Sequence, residues 1–151
     1  MSRLRPPRAG RGFTILEVLV AVAIVGVLAT LAVPNYSDYV SRSRVLDAVA
    51  KLLDYRARME QFFLDRRAYV DEFGNCGVPP PVAVPVNDAF VVACAATATS
   101  YIYTATGVAA KGMNGFVYTI DETGARSTAS VPRGWARSVD CWTFRRDGSC
   151  E

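Results

Sequence analysis

One stretch constrains this chain more than any other: residues 13–33 read FTILEVLVAVAIVGVLATLAV, with Glu17 as the only charged side chain. A helix needs about 20 apolar residues to cross a bilayer once, so this run has the length of one crossing. A carboxylate inside a spanning helix costs roughly 2.5–3.5 kcal/mol on insertion scales. We therefore expect residues 13–33 to form a transmembrane helix in which Glu17 has a function.

The residues before this run are basic. The first 12 residues contain four arginines and no acid, so the formal net charge of +3 falls to −1 without them. An arginine-rich flank beside an apolar helix stays in the cytoplasm, which predicts that the C-terminal part of the chain lies outside. Because that part is not basic, the overall charge gives no reason to expect a nucleic-acid partner.

Two ordinary interpretations of residues 1–33 are incomplete. A secretory signal peptide has an apolar core of about 7–15 residues and a cleavage site after it. The run in this chain is longer and contains Glu17. A plain membrane anchor explains the length of the run but leaves the carboxylate unexplained.

A third interpretation explains both features. Residues 11–17, RGFTILE, open the apolar run with glycine, then phenylalanine, then glutamate four residues later. This motif closely resembles the class III signal of type IV prepilins and of their type II secretion relatives. The resemblance implies a leader of residues 1–12, a cut between Gly12 and Phe13 by a prepilin peptidase on the cytoplasmic side, and N-methylation of Phe13. A 12-residue leader is slightly long for that family.

The same resemblance implies that Glu17 acts in assembly. After cleavage Phe13 carries a positive amine at a helix start, which Glu17 of a neighbouring subunit can neutralise in the low-dielectric core of a filament. An unpaired carboxylate there is costly, so pairing favours the correct register of subunits. A weaker, local alternative is that Glu17 lies in the first helical turns, where a negative charge suits the helix dipole.

The helical pattern continues past Pro34. The helix is predicted from residue 13 to about residue 65, roughly 80 Å at 1.5 Å per residue, with a kink or local melting at Pro34 and at Gly26. Its second half is apolar along one stripe, and from residue 46 to residue 63 we expect this stripe to pack in a core. The stripe comprises Tyr36, Tyr39, Val40, Leu46, Val49, Leu52, Leu53, Met59, Phe62 and Phe63.

The rest of the chain predicts a loop followed by a sheet. Residues 74–88 contain four prolines, which exclude a central strand or a helix. Strand patterns follow at residues 89–96, 101–106, 116–121 and 125–129, with a last short strand at 141–144. We therefore predict that residues 34–151 form an α+β headgroup, with an antiparallel sheet of about four strands on the amphipathic half of the helix. The ladle-shaped pilin fold that the resemblance implies has the same architecture.

All four cysteines follow the apolar run, and none lies in a CxxC motif. Without a histidine or a close cysteine pair they do not form a metal-binding pattern, so we expect disulfides and no metal. Of three possible connectivities we predict the sequential one, Cys76 with Cys94 and Cys141 with Cys150. The second bond closes a loop that either forms a contact surface for a partner or only holds the C-terminus in place. Its candidate contact residues are Trp142, Arg145 and Arg146.

The C-terminal third carries a second resemblance. Residues 115–121, GFVYTID, then Gly124 and the Cys141-Trp142 pair, resemble the minor pilins of beta- and gammaproteobacteria. Many of those relatives place a cysteine at the start of the segment corresponding to residues 116–121 and pair it with the cysteine of the Cys-Trp pair. This chain has Cys150 instead, so the family's connectivity is not transferred to it.

The residues for most catalytic chemistry are absent. With no histidine there is no Ser-His-Asp triad and no imidazole base, and no phosphate-binding loop is present. We therefore expect neither enzyme activity nor a cofactor. The resemblance instead implies a minor pilin, stored in the inner membrane and built with other pilin subunits into an extracellular type IV pilus by the assembly machinery.

Two alternatives stay open. A type II secretion pseudopilin shares the same N-terminus, although the four cysteines and the lack of an acidic calcium loop favour the pilus. A DNA-receptor pilin would use a basic surface, but acids are interspersed among the basic residues, so we expect no nucleic-acid partner. The basic and aromatic residues concerned are Lys111, Arg126, Arg133, Arg137, Arg145 and Arg146, beside Tyr101, Tyr103 and Trp135.

Leader removal gives a direct test of the prepilin interpretation. Intact-mass measurement of the chain recovered from its own bacterium should show the loss of residues 1–12 and one added methyl group on Phe13. A chain cut near Ala32, or one that is not cut at all, would contradict this interpretation, because a secretory signal peptidase cuts after the apolar core.

Overall fold

The computed structural model describes residues 12–81 and 88–150, without the side chains of residues 31–35. Most of the predicted leader and part of the proline-rich loop therefore lie outside the described residues. The described chain has one long helix, a short 3-10 turn and a four-stranded sheet, which is the predicted α+β class. The elements are α1 (Ile15–Arg66), β1 (Phe90–Ala96), β2 (Tyr101–Gly107), the 3-10 turn (Ala109–Lys111), β3 (Val117–Asp121) and β4 (Arg126–Ser130).

The chain divides into two compact units, Met1–Ser37 and Asp38–Glu151. In the first unit residues 12–30 are all exposed. The helix is uninterrupted at Gly26 and Pro34, so local melting is not observed, whereas a bend at Pro34 stays a prediction. Across the residues whose side chains are described, no helix combines the length and the hydropathy needed to cross a membrane.

The second unit is organised on one face of α1. Val45, Ala48, Leu52 and Met59 recur three, four or seven residues apart, and each is at most 1% exposed. This spacing places them on one side of a helix with 3.6 residues per turn. The face they form belongs to the same core as the inner face of the sheet.

Two leucines that we assigned to the core stripe lie outside it. Leu46 is 45% exposed and Leu53 is 37% exposed, whereas the residue before each of them is fully buried. The prediction was wrong here because apolar residues at helical spacing occupy two faces of α1, and side-chain identity alone does not say which face the sheet covers. Tyr36 and Tyr39, at the start of the stripe, are also exposed.

The sheet has the spatial order β1-β2-β3-β4, and every neighbouring pair is antiparallel. Alternate residues of β2, Tyr101, Tyr103 and Ala105, are buried, and Tyr118 and Ile120 of β3 continue the same layer. A period of two is what a strand with one face in a core requires. The sheet therefore presents a largely aromatic inner face.

The strand predictions were confirmed for the sheet but not for the C-terminus. All four sheet strands begin and end within one residue of their predicted bounds. Residues 141–144 make only an isolated bridge at Thr143, so the predicted last strand is wrong. Its apolar residues have another use: Trp142 and Phe144 are 2% and 4% exposed, and Trp142 Nε1 donates to the Thr119 carbonyl at 2.9 Å. The segment completes the core without joining the ladder.

Buried tyrosines connect the sheet to its surroundings. The Tyr118 hydroxyl donates to the Thr143 carbonyl at 2.9 Å, and the Tyr101 hydroxyl donates to the Glu60 carboxylate of α1 at 2.8 Å. Burial raises the pKa of Tyr118, of Tyr103 and of Tyr101, and the hydrogen bond to Glu60 adds to the effect at Tyr101. These phenols therefore ionise at a higher pH in the folded chain than in the unfolded chain.

Alkaline pH should weaken the fold. The pKa of these tyrosines is higher in the folded chain than the ordinary value of 10.0, so their contribution is complete below that value and is lost as the pH rises past it. The free energy of unfolding should be flat from about pH 7 to 9 and fall above about pH 10. Tyr118→Phe should make the alkaline fall shallower, while the lost hydrogen bond costs ~0.5–1.5 kcal/mol at neutral pH. Urea denaturation of the full chain in detergent, followed by near-UV circular dichroism, measures both effects.

Tyr36→Phe is the matched control, because Tyr36 is 71% exposed and its removal should leave both quantities unchanged. If the alkaline fall stays as steep in Tyr118→Phe as in the parent chain, ionisation of that phenol does not contribute to it.

Candidate functional site

The start of α1 holds the residues predicted for processing and assembly. Gly12, Phe13 and Thr14 precede the helix, which begins at Ile15. The backbone N–H of Glu17 donates to Thr14 Oγ1 at 3.2 Å, so Thr14 is the N-cap of α1. This threonine was missed in the sequence analysis, although T-x-x-E before an apolar run is the signature of a capping box.

Glu17 lies in the first turn of α1 and is exposed. Its neighbours Ile15 and Leu16 are 83% and 72% exposed. A negative charge in the first turn suits the positive end of the helix dipole. The same position leaves the carboxylate accessible to another molecule, as the predicted pairing with a neighbouring subunit requires.

The predicted cleavage point lies outside the helix. Phe13 is 82% exposed, and no described atom lies within 4 Å of the place where a Cβ would stand on Gly12. The described part of the chain therefore leaves room for a larger side chain at position 12. A requirement for glycine there would come from a partner that binds this segment, and a peptidase is such a partner.

Two disulfides tie down the segments around the sheet. They join Cys76 to Cys94 and Cys141 to Cys150, with Cα atoms 6.2 and 6.0 Å apart, which are the pairs predicted from sequence order. The first holds the segment after α1 to β1, and the second closes the C-terminal loop. Each stabilises the fold by about 3 kcal/mol or less for loops this short, on the chain-entropy estimate.

Of the three residues predicted to form a contact surface on the C-terminal loop, the tryptophan is buried and the two arginines are exposed. Trp142 is 2% exposed, and the Arg126 guanidinium lies 5.0 Å from the centre of its ring. Trp142 therefore belongs to the core. Arg145 and Arg146 are exposed, so the loop presents its arginines to solvent but not its tryptophan.

Among the residues considered for a DNA-binding surface, the arginines are exposed, but the aromatic rings are buried or partly buried. Tyr101 and Tyr103 are 3% and 0% exposed, and Trp135 is partly buried against the same core. Stacking on bases would require exposed rings, which these three residues do not provide. The exposed cations are Arg126, Arg133, Arg137, Arg145 and Arg146.

A concavity of about 410 Å³ lies in the second unit, beside the C-terminal loop. Arg146 donates to the Asp38 carboxylate at 2.7 and 3.1 Å, so charges of both signs meet there. Within residues 12–81 and 88–150, no three His, Cys, Asp or Glu side chains are placed to hold a metal ion. The lining residues are Asp38, Tyr39, Arg42, Trp135, Phe144, Arg145, Arg146 and Asp147.

Comparison with known protein families covers most of the chain. Residues 7–33 match the family described as the prokaryotic N-terminal methylation motif. Residues 34–127 match the family described as the type IV minor pilin ComP, DNA uptake sequence receptor. The two matches meet between Val33 and Pro34, where the apolar run ends.

Individual proteins are similar over different lengths. The chain is 32% identical to the fimbrial protein EcpC of Eikenella corrodens over 111 residues, 70% of this chain and 69% of that protein. It is 29% identical to the type IV major fimbrial protein FimA of Dichelobacter nodosus over 138 residues, 88% and 86% of the two chains. With the type IV major pilin protein PilE1 of Neisseria gonorrhoeae it shares 31% identity over 71 residues, 47% of this chain and 43% of that protein.

Proposed function

The chain belongs to the type IV pilin family, and from that membership we propose that it is stored in the bacterial inner membrane through residues 13–33, loses residues 1–12, and is built into a pilus as a minor subunit. The N-terminal segment supports this proposal most strongly, because residues 12–30, which include the start of α1, are all exposed. Contact with lipid, or with other apolar helices, would cover this surface. Membrane storage and then filament assembly provide these two environments in turn.

Two observations support a pilus over a secretion pseudopilin. The relatives reported above are pilins and fimbrial proteins. The family matched by residues 34–127 is a minor pilin family. The proposed partners are other pilin subunits, a prepilin peptidase and methylase acting at Gly12 and Phe13, and the inner-membrane assembly machinery.

In this proposal Glu17 selects the register of the subunit in the filament. The cap by Thr14 already fixes the first helical turn through the backbone N–H of Glu17. The carboxylate can therefore pair with the amine of Phe13 on a neighbouring subunit. In a low-dielectric filament core an unpaired charge of either sign is costly, so a subunit in the wrong register is disfavoured.

Replacing the charge at Glu17 tests the proposal. Glu17→Gln keeps the size of the side chain and removes its charge. Leader cleavage and membrane insertion should be unchanged, while the amount of chain in sheared filaments should fall by about tenfold or more, since even ~1.4 kcal/mol changes an equilibrium tenfold. Mass spectrometry of the membrane fraction and immunoblotting of sheared filaments measure the two steps separately.

Two further variants separate assembly from local helix stability. Glu72→Gln makes the same chemical change at an exposed headgroup residue and should assemble normally. Thr14→Val removes the cap, so it should reproduce the defect of Glu17→Gln only if that defect comes from a frayed helix start. Normal assembly of Glu17→Gln would contradict the proposed role.

A second candidate function is DNA reception on the pilus. It is favoured by the match of residues 34–127 to a family described as a DNA uptake sequence receptor. This match differs from our expectation from the sequence, which was that the chain has no nucleic-acid partner. From residue 126 to residue 150 the chain carries five arginines and two aspartates, so the segment after β3 is positive. Exposed arginines in this segment would contact phosphates. Phosphate contacts supply a large share of the affinity of proteins for duplex DNA.

Binding of labelled genomic duplex fragments to the full chain in detergent tests this candidate. Arg133→Gln should weaken binding and reduce the slope of log affinity against log salt by about 0.9 for one lost phosphate contact. Arg58→Gln is the matched control, since Arg58 is also exposed but lies on α1, paired with Asp54 at 2.9 Å. Absence of duplex binding, or equal effects of both variants, would count against the candidate.

A further inference from the structure

The concavity of about 410 Å³ beside the C-terminal loop combines charged and aromatic lining residues, and we call it the C-terminal concavity. Phe144 in its lining is buried, and Trp135 packs edge-on against Phe116 with ring centres 4.8 Å apart. Tyr39 is 73% exposed. Three arginines and two aspartates complete the lining. Such a site suits a small ligand that has both charged and apolar parts.

The backbone that carries the two loop arginines is held in place. The Ala136 N–H donates to the Arg146 carbonyl at 2.8 Å, and the Gly148 N–H donates to the Arg145 carbonyl at 3.2 Å. The second disulfide closes the loop that contains both arginines. A ligand that binds these side chains therefore does not have to order their backbone, which lowers the entropic cost of binding.

The ion pair of Arg146 with Asp38 leaves binding capacity on both partners. Arg146 Nε and Nη2 donate to Asp38 Oδ1 at 3.1 and 2.7 Å, so Arg146 Nη1 and Asp38 Oδ2 take no part in this pair. A guanidinium has five N–H donors, and a carboxylate accepts hydrogen bonds on both oxygens. The two side chains together can therefore donate to an anionic group and accept from a cationic one.

The other charges of the lining also have both signs. Hydrogen bonds from Ser149, including one from its backbone N–H at 2.9 Å, lower the pKa of Asp147, so this carboxylate stays ionised. With Arg42 and Arg145 the lining carries three positive and two negative side chains. A ligand that carried only a phosphate would be repelled by the carboxylates, whereas a ligand with a phosphate and an ammonium group pairs with both kinds of charge.

The C-terminal concavity begins close to the apolar run in the chain. Four residues separate Asp38 from Val33, the last residue of that run. Even a fully extended chain covers no more than about 18 Å in these five steps. The polar layer of a bilayer is roughly 5–8 Å thick on each side of the hydrocarbon core. With residues 13–33 in that core, Asp38 is therefore within reach of the lipid phosphates.

Exposed tyrosines on both sides of Asp38 fit the same level of the membrane. Tyr36 and Tyr39 are 71% and 73% exposed, although large aromatic side chains elsewhere in the headgroup are mostly buried. Tyrosine and tryptophan are enriched at the boundary between membrane and water, because their rings are apolar and carry one polar group. Trp135 adds a third such ring beside the charges of the lining.

We propose that the C-terminal concavity binds the polar head of a zwitterionic phospholipid, phosphatidylethanolamine, while the subunit is stored in the membrane. This inference rests on the proposed function, because it requires residues 13–33 to lie in a bilayer. The arginines of the C-terminal loop take the phosphate, and Asp38 and Asp147 accept hydrogen bonds from the primary ammonium group. Bound lipid holds the headgroup at the membrane surface, and the contact is released when the subunit enters a filament.

Photo-crosslinking in vesicles identifies the lipid. The full chain, with a photo-crosslinking aromatic residue in place of Tyr39, is reconstituted in vesicles with equal amounts of phosphatidylethanolamine, phosphatidylcholine and phosphatidylglycerol. Mass spectrometry of the irradiated chain should show phosphatidylethanolamine adducts at least about threefold above either other lipid, the factor for ~0.65 kcal/mol, which is within the range of an exposed ion pair. Phosphatidylcholine carries the same charges but has no N–H to donate, and phosphatidylglycerol has no ammonium group.

Substitutions in the ion pair test which residues select the lipid. Arg146→Gln and Asp38→Asn should each reduce the adducts toward equal shares, and both side chains are exposed enough, at 60% and 46%, to leave the core intact. Arg58→Gln is the matched control, because Arg58 is 64% exposed and pairs with an aspartate at 2.9 Å elsewhere on α1. It should keep the preference. The crosslinking residue at Leu64, which is 66% exposed near the end of α1, should give few lipid adducts.

The outcomes separate this inference from the proposed function. If the chain floats with the vesicles but its adducts are shared equally, or are richest in phosphatidylglycerol or phosphatidylcholine, the assigned lipid is wrong and the proposed function stands. An unchanged preference in Arg146→Gln and Asp38→Asn would show that the C-terminal concavity is not the site. If the chain does not float with the vesicles at all, membrane storage and lipid binding both fail.

Discussion

α1 carries more apolar surface than the rest of the chain covers, and the other features of the molecule depend on this imbalance. The headgroup buries one face between Val45 and Met59. Residues 12–30 stay exposed in the single chain, and so do Leu46 and Leu53 on the headgroup half of α1. Apolar surface in water costs about 25 cal/mol per Å², so a helix of this kind needs other molecules around it. A subunit that passes from a membrane into a filament obtains them in both places.

The headgroup has contacts that hold it together independently of those surroundings. Tyr55 of α1 stacks on Tyr103 of β2 with ring centres 5.4 Å apart, and Glu60 of α1 accepts the Tyr101 hydroxyl. Two disulfides fix the segments that do not belong to the sheet. In a small domain a few such contacts are a large part of the net stability. The environment of the first unit can therefore change while the second unit keeps its fold.

The sequence predicted the features that depend on local pattern. The strands follow from alternation between strand-forming residues and turns, and the sequential disulfides follow from short loops around them. The start of α1 was predicted from its motif, but the cap by Thr14 was overlooked although T-x-x-E was visible. The features that were predicted wrongly are those set by tertiary contact. Leu46 and Leu53 have the spacing of core residues, and only the position of the sheet shows that they face outward.

If neighbouring helices cover α1 in the filament, the reactivity of a cysteine at position 50 must change on assembly. No native cysteine is free to compete, because all four form disulfides. The direct measurement is the rate of maleimide labelling of Ala50→Cys, on an exposed position of α1, relative to Ala98→Cys, in the exposed turn between β1 and β2, in detergent-solubilised subunits and in intact filaments. The account predicts similar rates in detergent and at least about tenfold slower labelling at position 50 in filaments, the factor for ~1.4 kcal/mol. Equal rates at the two positions in filaments would contradict it.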